Sequence, residues 1–148
     1  MKIPSAIMIH HSGVSYFKNP DQFHANNRYH KQQWNFLSSM GFYLGYTYEI
    51  NKLGFVRQAR AFGEATAACY KEQMNDGHCI HVCLDGNFEI ERPFPSEIYA
   101  LRDLLRGLKK RFSILPESIF FHRQYSKTKC PGKNMDLEFV RGLISGTF

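Results

Sequence analysis

The sequence has no long apolar run: no stretch approaches the ~20 residues that a membrane-crossing helix needs. Nor is a secretion leader expected. MKIPSAIMIHHS carries one lysine and a few apolar residues but stops at paired histidines, too short for a leader core and without a cleavage pattern. The chain is therefore expected in the cytoplasm as synthesised, acting on any extracellular target only after release. Repeats and low-complexity linkers are absent, which excludes solenoids and disordered tails. The net charge of +6 and pI near 9.2 suit a polyanionic partner, whether nucleic acid, anionic membrane or wall polymer. The basic residues are scattered rather than blocked, and no nucleic-acid-binding motif is present. Neither nucleic acid nor membrane is thus an expected partner. Cysteine is sparse: Cys69, Cys79, Cys83 and Cys130, which without a leader read as reduced thiols. Tryptophan occurs once, whereas thirteen Phe and eight Tyr supply aromatic surface for a core or a groove.

What is present fits one domain over residues 1–148, with 43% hydrophobic residues to fill a core. SAIMIHH reads as a strand, and a helix is expected from just after Pro20 to about Met40. YLGYTYEINKLGFV carries two β-rich segments around Asn51-Lys52-Leu53-Gly54, a hairpin pattern. Residues 61–78 are open between a helical turn and an ordered loop. CIHVCL is the strongest strand, ended by Asp85-Gly86-Asn87. From Ser96 to about Phe112, Ile98, Leu101, Leu104, Leu105 and Leu108 form one apolar stripe, with Arg102, Arg106, Lys109 and Lys110 outside it. SIFF is a short strand, and a last helix is expected over Asp136–Ile144. Alternating strands and helices predict an α/β (mixed α+β) fold: a central mixed β-sheet flanked by helices.

The chemistry-bearing stretch is FHRQYSKTKCPG. His122 leaves an apolar run, and Cys130 follows eight residues later, just before Pro-Gly. Imidazole and thiolate both suit zinc, and the spacing requires a loop that folds back on itself. A third ligand is available at the end of the first strand, where His10 and His11 point to opposite faces and only one can join easily. Cys79, His81 and Cys83 alternate along one strand face as C-x-H-x-C, but successive same-face residues are ~6.6 Å apart and converge poorly on one ion. Core packing, or a groove-lining His81, is the preferred reading there.

The segments IMIHHS, LGYTYEI, GFVRQAR, CIHVCLDGNFE, ALRDLL and HRQYSKTKCPG, in this order from about residue 6 to residue 132, resemble the zinc-dependent N-acetylmuramoyl-L-alanine amidase family. That family includes phage lysozyme-amidases, bacterial autolytic amidases and peptidoglycan recognition proteins. The resemblance implies an amidase-like fold and one Zn²⁺ held by His10, His122 and Cys130. It implies catalytic roles for Tyr46, in the Gly-Tyr motif, and Thr128, two residues before the cysteine. His11, Tyr48, Glu64 and Lys129 are further candidates for a substrate groove. Without the resemblance Tyr46 reads as a packing residue; taken singly, Thr128 reads as a turn hydroxyl and Cys130 as a small buried hydrophobe.

A zinc ion with an open fourth position lowers the pKa of a water there far below ~15.7 and polarises an amide carbonyl. The implied reaction is hydrolysis of the bond between N-acetylmuramic acid and the L-alanine of the stem peptide. The implied partner is bacterial peptidoglycan or a muropeptide, and the implied molecule a monomeric endolysin of a phage or prophage, or an autolysin. The alternative is a recognition protein that binds muropeptides without cutting them. The chain departs from the family pattern at Gly63-Glu64-Ala65, where a histidine is usual, at Ala68-Cys69-Tyr70 in place of Gly-Tyr-Asn, and at Cys79-Ile80-His81 in place of Ser-Ile-Gly.

Overall fold

A computed structural model describes residues 1–146. Five strands form one sheet: β1 (Ala6–His11), β2 (Tyr48–Ile50), β3 (Val56–Gln58), β4 (Cys79–Leu84) and β5 (Ile119–Phe121). Their spatial order is β3-β2-β4-β1-β5, with β1, β2, β4 and β5 parallel and the edge strand β3 antiparallel to β2. The helices are α1 (Phe23–Trp34), α2 (Pro95–Phe112) and α3 (Leu137–Ile144). Among the described residues no helix is long and apolar enough to cross a membrane.

Period-two alternation divides the sheet chemically. Ile7 and Ile9, Ile80, Val82 and Leu84, Tyr48 and Ile50 face a core closed by α2 and α3. The α2 stripe supplies it with Leu101, Leu105 and Leu108, all buried, each worth about 1.5–3 kcal/mol of apolar burial. Pro95 opens α2 at a position where its missing N–H costs nothing, and Ser113 closes it in the left-handed conformation. Asp136 caps α3 by accepting the Phe139 N–H at 2.9 Å. The opposite sheet face is polar and carries His10, His81, Cys83 and Glu49, all buried.

The first helix is shorter than its sequence pattern suggests. It stops at Trp34 because Asn35 turns left-handed (φ 47°) and returns its N–H to the His30 and Lys31 carbonyls. Beyond it, the Ser38 hydroxyl donates to the Ala59 carbonyl and accepts the Met40 and Phe42 N–H groups, so side-chain bonding replaces another helical turn. Residues 61–78 form an ordered loop with one 3₁₀ turn, Glu72–Asn75. Asn75 holds that loop, accepting from Thr66 and Ala68 and donating to the Cys69 carbonyl.

Behind α1, Glu49 and Asp85 form a buried carboxyl pair. Asn26 donates to one Glu49 oxygen and the Gln22 N–H to one Asp85 oxygen. The remaining oxygens, Glu49 Oε2 and Asp85 Oδ1, are buried with no hydrogen-bond partner, a position that favours the protonated acids. Burial, followed by the neighbouring Asp85, raises Glu49 well above the usual carboxylate range, and burial raises Asp85 to about 7. The folded chain thus retains a proton that the unfolded chain releases near pH 4. Stability from this pair is full below that range and is lost as pH rises through about 7. Urea-unfolding midpoints are expected to fall between pH 6.5 and 8, by about 1 kcal/mol in stability. Glu49→Gln, which removes one of the two titrating carboxyls, is expected to flatten that slope; an unchanged slope would count against Glu49 as a source of it.

Candidate metal centre

His10, His122 and Cys130 converge at the C-terminal ends of β1 and β5. His10 is the fifth residue of β1 and lies on its polar face, fully buried. His122 follows β5 directly, at the start of a 3₁₀ turn. The loop from that turn doubles back: the Arg123 N–H donates to the Cys130 carbonyl at 2.9 Å, delivering the cysteine to the same point. Gly132 makes the return possible. Its φ is +101°, and a Cβ there would lie 2.5 Å from the Phe88 carbonyl carbon.

One donor atom from each of the three residues lies within 4.8 Å of the others. His10 Nδ1 is 3.9 Å from Cys130 Sγ, and the two imidazole rings are 4.7 Å apart between centroids. Bond lengths to tetrahedral zinc place ligand atoms roughly 3.3–3.8 Å from one another, so a small contraction closes the set. A second observation supports the fit: His122 Nε2 is buried with no hydrogen-bond partner. Burial lowers the pKa of His10 and of His122, keeping both imidazoles neutral, as a metal ligand must be. Burial pushes the Cys130 thiol up to about 12, partly opposed by the His11 N–H, which points at the sulfur from 3.3 Å. Any metal bound here would displace a proton from Cys130.

Beside the cluster lies a groove of about 410 Å³, its walls including Trp34, Tyr46, Ala67, Tyr70, Glu72 and His122. Tyr46 sits against His10, ring centroids 4.9 Å apart, and its hydroxyl contacts the Cys83 thiol. Burial, then Cys83 and Cys130, raises the phenol well above its usual range, so it remains an O–H donor. Gly45 brings Tyr46 there: the Ala67 carbonyl comes so close that a Cβ on residue 45 would lie 2.2 Å from it. His30 Nδ1 accepts the Gly45 N–H at 2.7 Å from the other side.

The remaining candidates are placed differently. Thr128 is half-buried and its hydroxyl accepts the Cys130 N–H at 3.3 Å, so it braces the ligand loop. Tyr48 is buried in the α2 core near Phe62 and Arg111, not in the groove. Tyr46 lines the groove and Tyr48 does not, because β2 begins only at Tyr48 and the bend at residues 45–47 breaks the strand alternation between them. Glu64 is also corrected: its carboxylate accepts the Ala61 and Ser39 N–H groups and ties a turn together. His11, on the face opposite His10, accepts the Phe88 N–H and packs on that ring, and Lys129 is exposed. Neither lines the groove. Sequence reasoning gave His81 core packing or a place along the groove and missed its partner: its Nδ1 lies 2.8 Å from His10 Nε2; the C-x-H-x-C pattern was the available signal.

Sheet order, flanking helices and the three converging ligands define a small α/β domain built around a candidate metal centre. The chain belongs to the N-acetylmuramoyl-L-alanine amidase family, whose model matches residues 1–133. Among solved structures it is similar to the N-acetylmuramoyl-L-alanine amidase LysC from Clostridium intestinale URNW, at 22% identity and TM-score 0.78, covering 97% of this chain and 86% of that one. It is also similar to Drosophila PGRP-LB, at 22% identity and TM-score 0.76, over 94% and 81% of the two chains. The Ph2119 endolysin from Thermus scotoductus MAT2119 bacteriophage Ph2119 aligns at 17% identity and TM-score 0.74, over 97% and 86%. These likenesses show the fold, which lytic enzymes and recognition proteins share. A comparison with curated proteins finds no match.

Proposed function

We propose that this chain is a single-domain, zinc-dependent amidase that hydrolyses the bond between N-acetylmuramic acid and the L-alanine of the peptidoglycan stem peptide. The observation that carries this reading is the convergence of His10, His122 and Cys130 within 4.8 Å beside a substrate-sized groove. Zinc held by these three residues would supply an electrophile for the amide carbonyl and a lowered pKa for the attacking water.

The chain's own groups do the rest. His10 and His122 offer neutral nitrogens, and the His11 N–H steadies the Cys130 sulfur as it loses its proton. The Tyr46 O–H donates to the amide oxygen as negative charge develops on it. Trp34 and Tyr70 present aromatic walls to the glycopeptide. Water adds to the lactyl carbonyl carbon, the carbon–nitrogen bond breaks, and the alanine nitrogen leaves with a proton as a free amine. The +6 net charge favours approach to an anionic wall. This activity suits an endolysin or autolysin that meets its substrate after release.

Purified peptidoglycan incubated with the protein is expected to yield new alanine N-termini, with muramic acid freed of peptide in the same amount. A strong chelator should abolish the release, and added zinc should restore it. Tight muropeptide binding without product, by a zinc-loaded protein, would instead establish a recognition protein.

A further inference from the structure

The metal-facing side of the sheet holds a chain of buried polar groups that the proposed reaction does not use. His81 sits on β4, across from Met8 in the β1 ladder and fully buried. Its Nε2 lies 2.6 Å from the Met74 carbonyl oxygen, and its Nδ1 lies 2.8 Å from His10 Nε2. The carbonyl can only accept, so the short contact requires the proton on His81 Nε2. In the neutral ring Nδ1 is then a bare lone pair. It can only accept, and His10 Nε2 must be the donor. With its single proton on Nε2, the neutral His10 ring presents a lone pair at Nδ1, the atom that faces Cys130 Sγ.

We propose that His81 is a positioning residue for the metal centre: it fixes the tautomer and ring orientation of His10 and ties that ring, through the Met74 carbonyl, to the turn that forms one groove wall. Metal-ligating histidines commonly donate their second ring N–H to an acceptor, and loss of that acceptor weakens metal affinity by about 10–100-fold. Here the acceptor is itself an imidazole, oriented by a backbone carbonyl. Met74 belongs to the 3₁₀ turn Glu72–Asn75, of which Glu72 and Asn75 line the groove. Asn75 in turn pins Thr66, Ala68 and Cys69 on the facing loop. The same contact therefore serves both the metal ligand and the groove wall.

The inference rests on the zinc reading of the site, and its test separates the two. Imidazole ¹⁵N spectra of the unaltered zinc-loaded protein should show His81 protonated at Nε2 only, and His10 protonated at Nε2 with Nδ1 bound to metal. The metal-free protein should show the same protonation at both rings. A proton on His81 Nδ1, or on His10 Nδ1 in place of Nε2, overturns the proposal whether or not zinc binds. Chelator competition then measures zinc affinity directly. His81→Leu, which removes both contacts, is expected to weaken it by about 10–100-fold. His81→Asn, which keeps an acceptor oxygen near the Nδ1 position, should recover most of that loss. Equal loss in both variants, or none in either folded variant, overturns the proposal. A parent protein that binds no zinc overturns the proposed function, and the tautomers then decide the His81 proposal alone.

Discussion

Cys130→Ala is expected to abolish zinc retention and to lower amide hydrolysis by about 10³-fold or more. The sulfur is the only anionic member of the ligand set, and two imidazoles alone hold zinc weakly at an open site. Several kcal/mol of transition-state stabilisation depend on the bound cation, and each 1.36 kcal/mol is about tenfold in rate. The fold should survive. Cys130 is a small buried residue on a loop held by the Arg123 N–H to its carbonyl, a backbone contact that alanine keeps. Deleting one buried sulfur costs about 1 kcal/mol, the scale of losing a buried methyl group. Zinc content per chain, an unfolding curve of the metal-free protein and the alanine-release assay on the same preparation separate these effects. Full activity in a zinc-free Cys130→Ala protein would remove the metal from the account.

Tyr46→Phe is expected to lower kcat by about 10²–10³-fold, the usual effect of removing one donor to a developing oxyanion. KM and zinc content should change little, because the ring remains packed between His10 and His30. Only the hydroxyl is lost, along with its contact to the Cys83 thiol. A kcat within about threefold of the parent would return Tyr46 to the packing role that a tyrosine in a β-rich stretch has by default.

Much of this architecture was legible in the residues. SAIMIHH and CIHVCL carry β-rich apolar runs, and the leucine stripe of α2 faces the core as its period requires. Two members of the converging cluster drew notice because His122 and Cys130 are unusual residues at the end of an apolar run. The family resemblance pointed to His10, which joins that cluster, and to Tyr46, which lines the groove. The failures share a cause, which is that tertiary contacts decided where local pattern was taken to rule. Asn35 and Ser38 end α1 by bonding to carbonyls of α1 and residue 59, which no helical period reveals. Tyr48, a groove candidate in the sequence, packs in the core because the chain bends at residues 45–47, where the Ala67 backbone crowds Gly45. Glu64 is a turn-former because two backbone N–H groups capture it. His81 has meaning only once the Met74 carbonyl is in place, and that carbonyl comes from a loop whose sequence was ambiguous.

The most direct test of the account is zinc K-edge X-ray absorption on the purified protein, with metal content measured on the same sample. One zinc per chain, with two imidazole nitrogens and one sulfur from the protein, is the expected result, the sulfur disappearing in Cys130→Ala. A protein that takes up no zinc under these conditions, or one whose zinc has no sulfur neighbour, would contradict the assignment of His10, His122 and Cys130 as a metal centre.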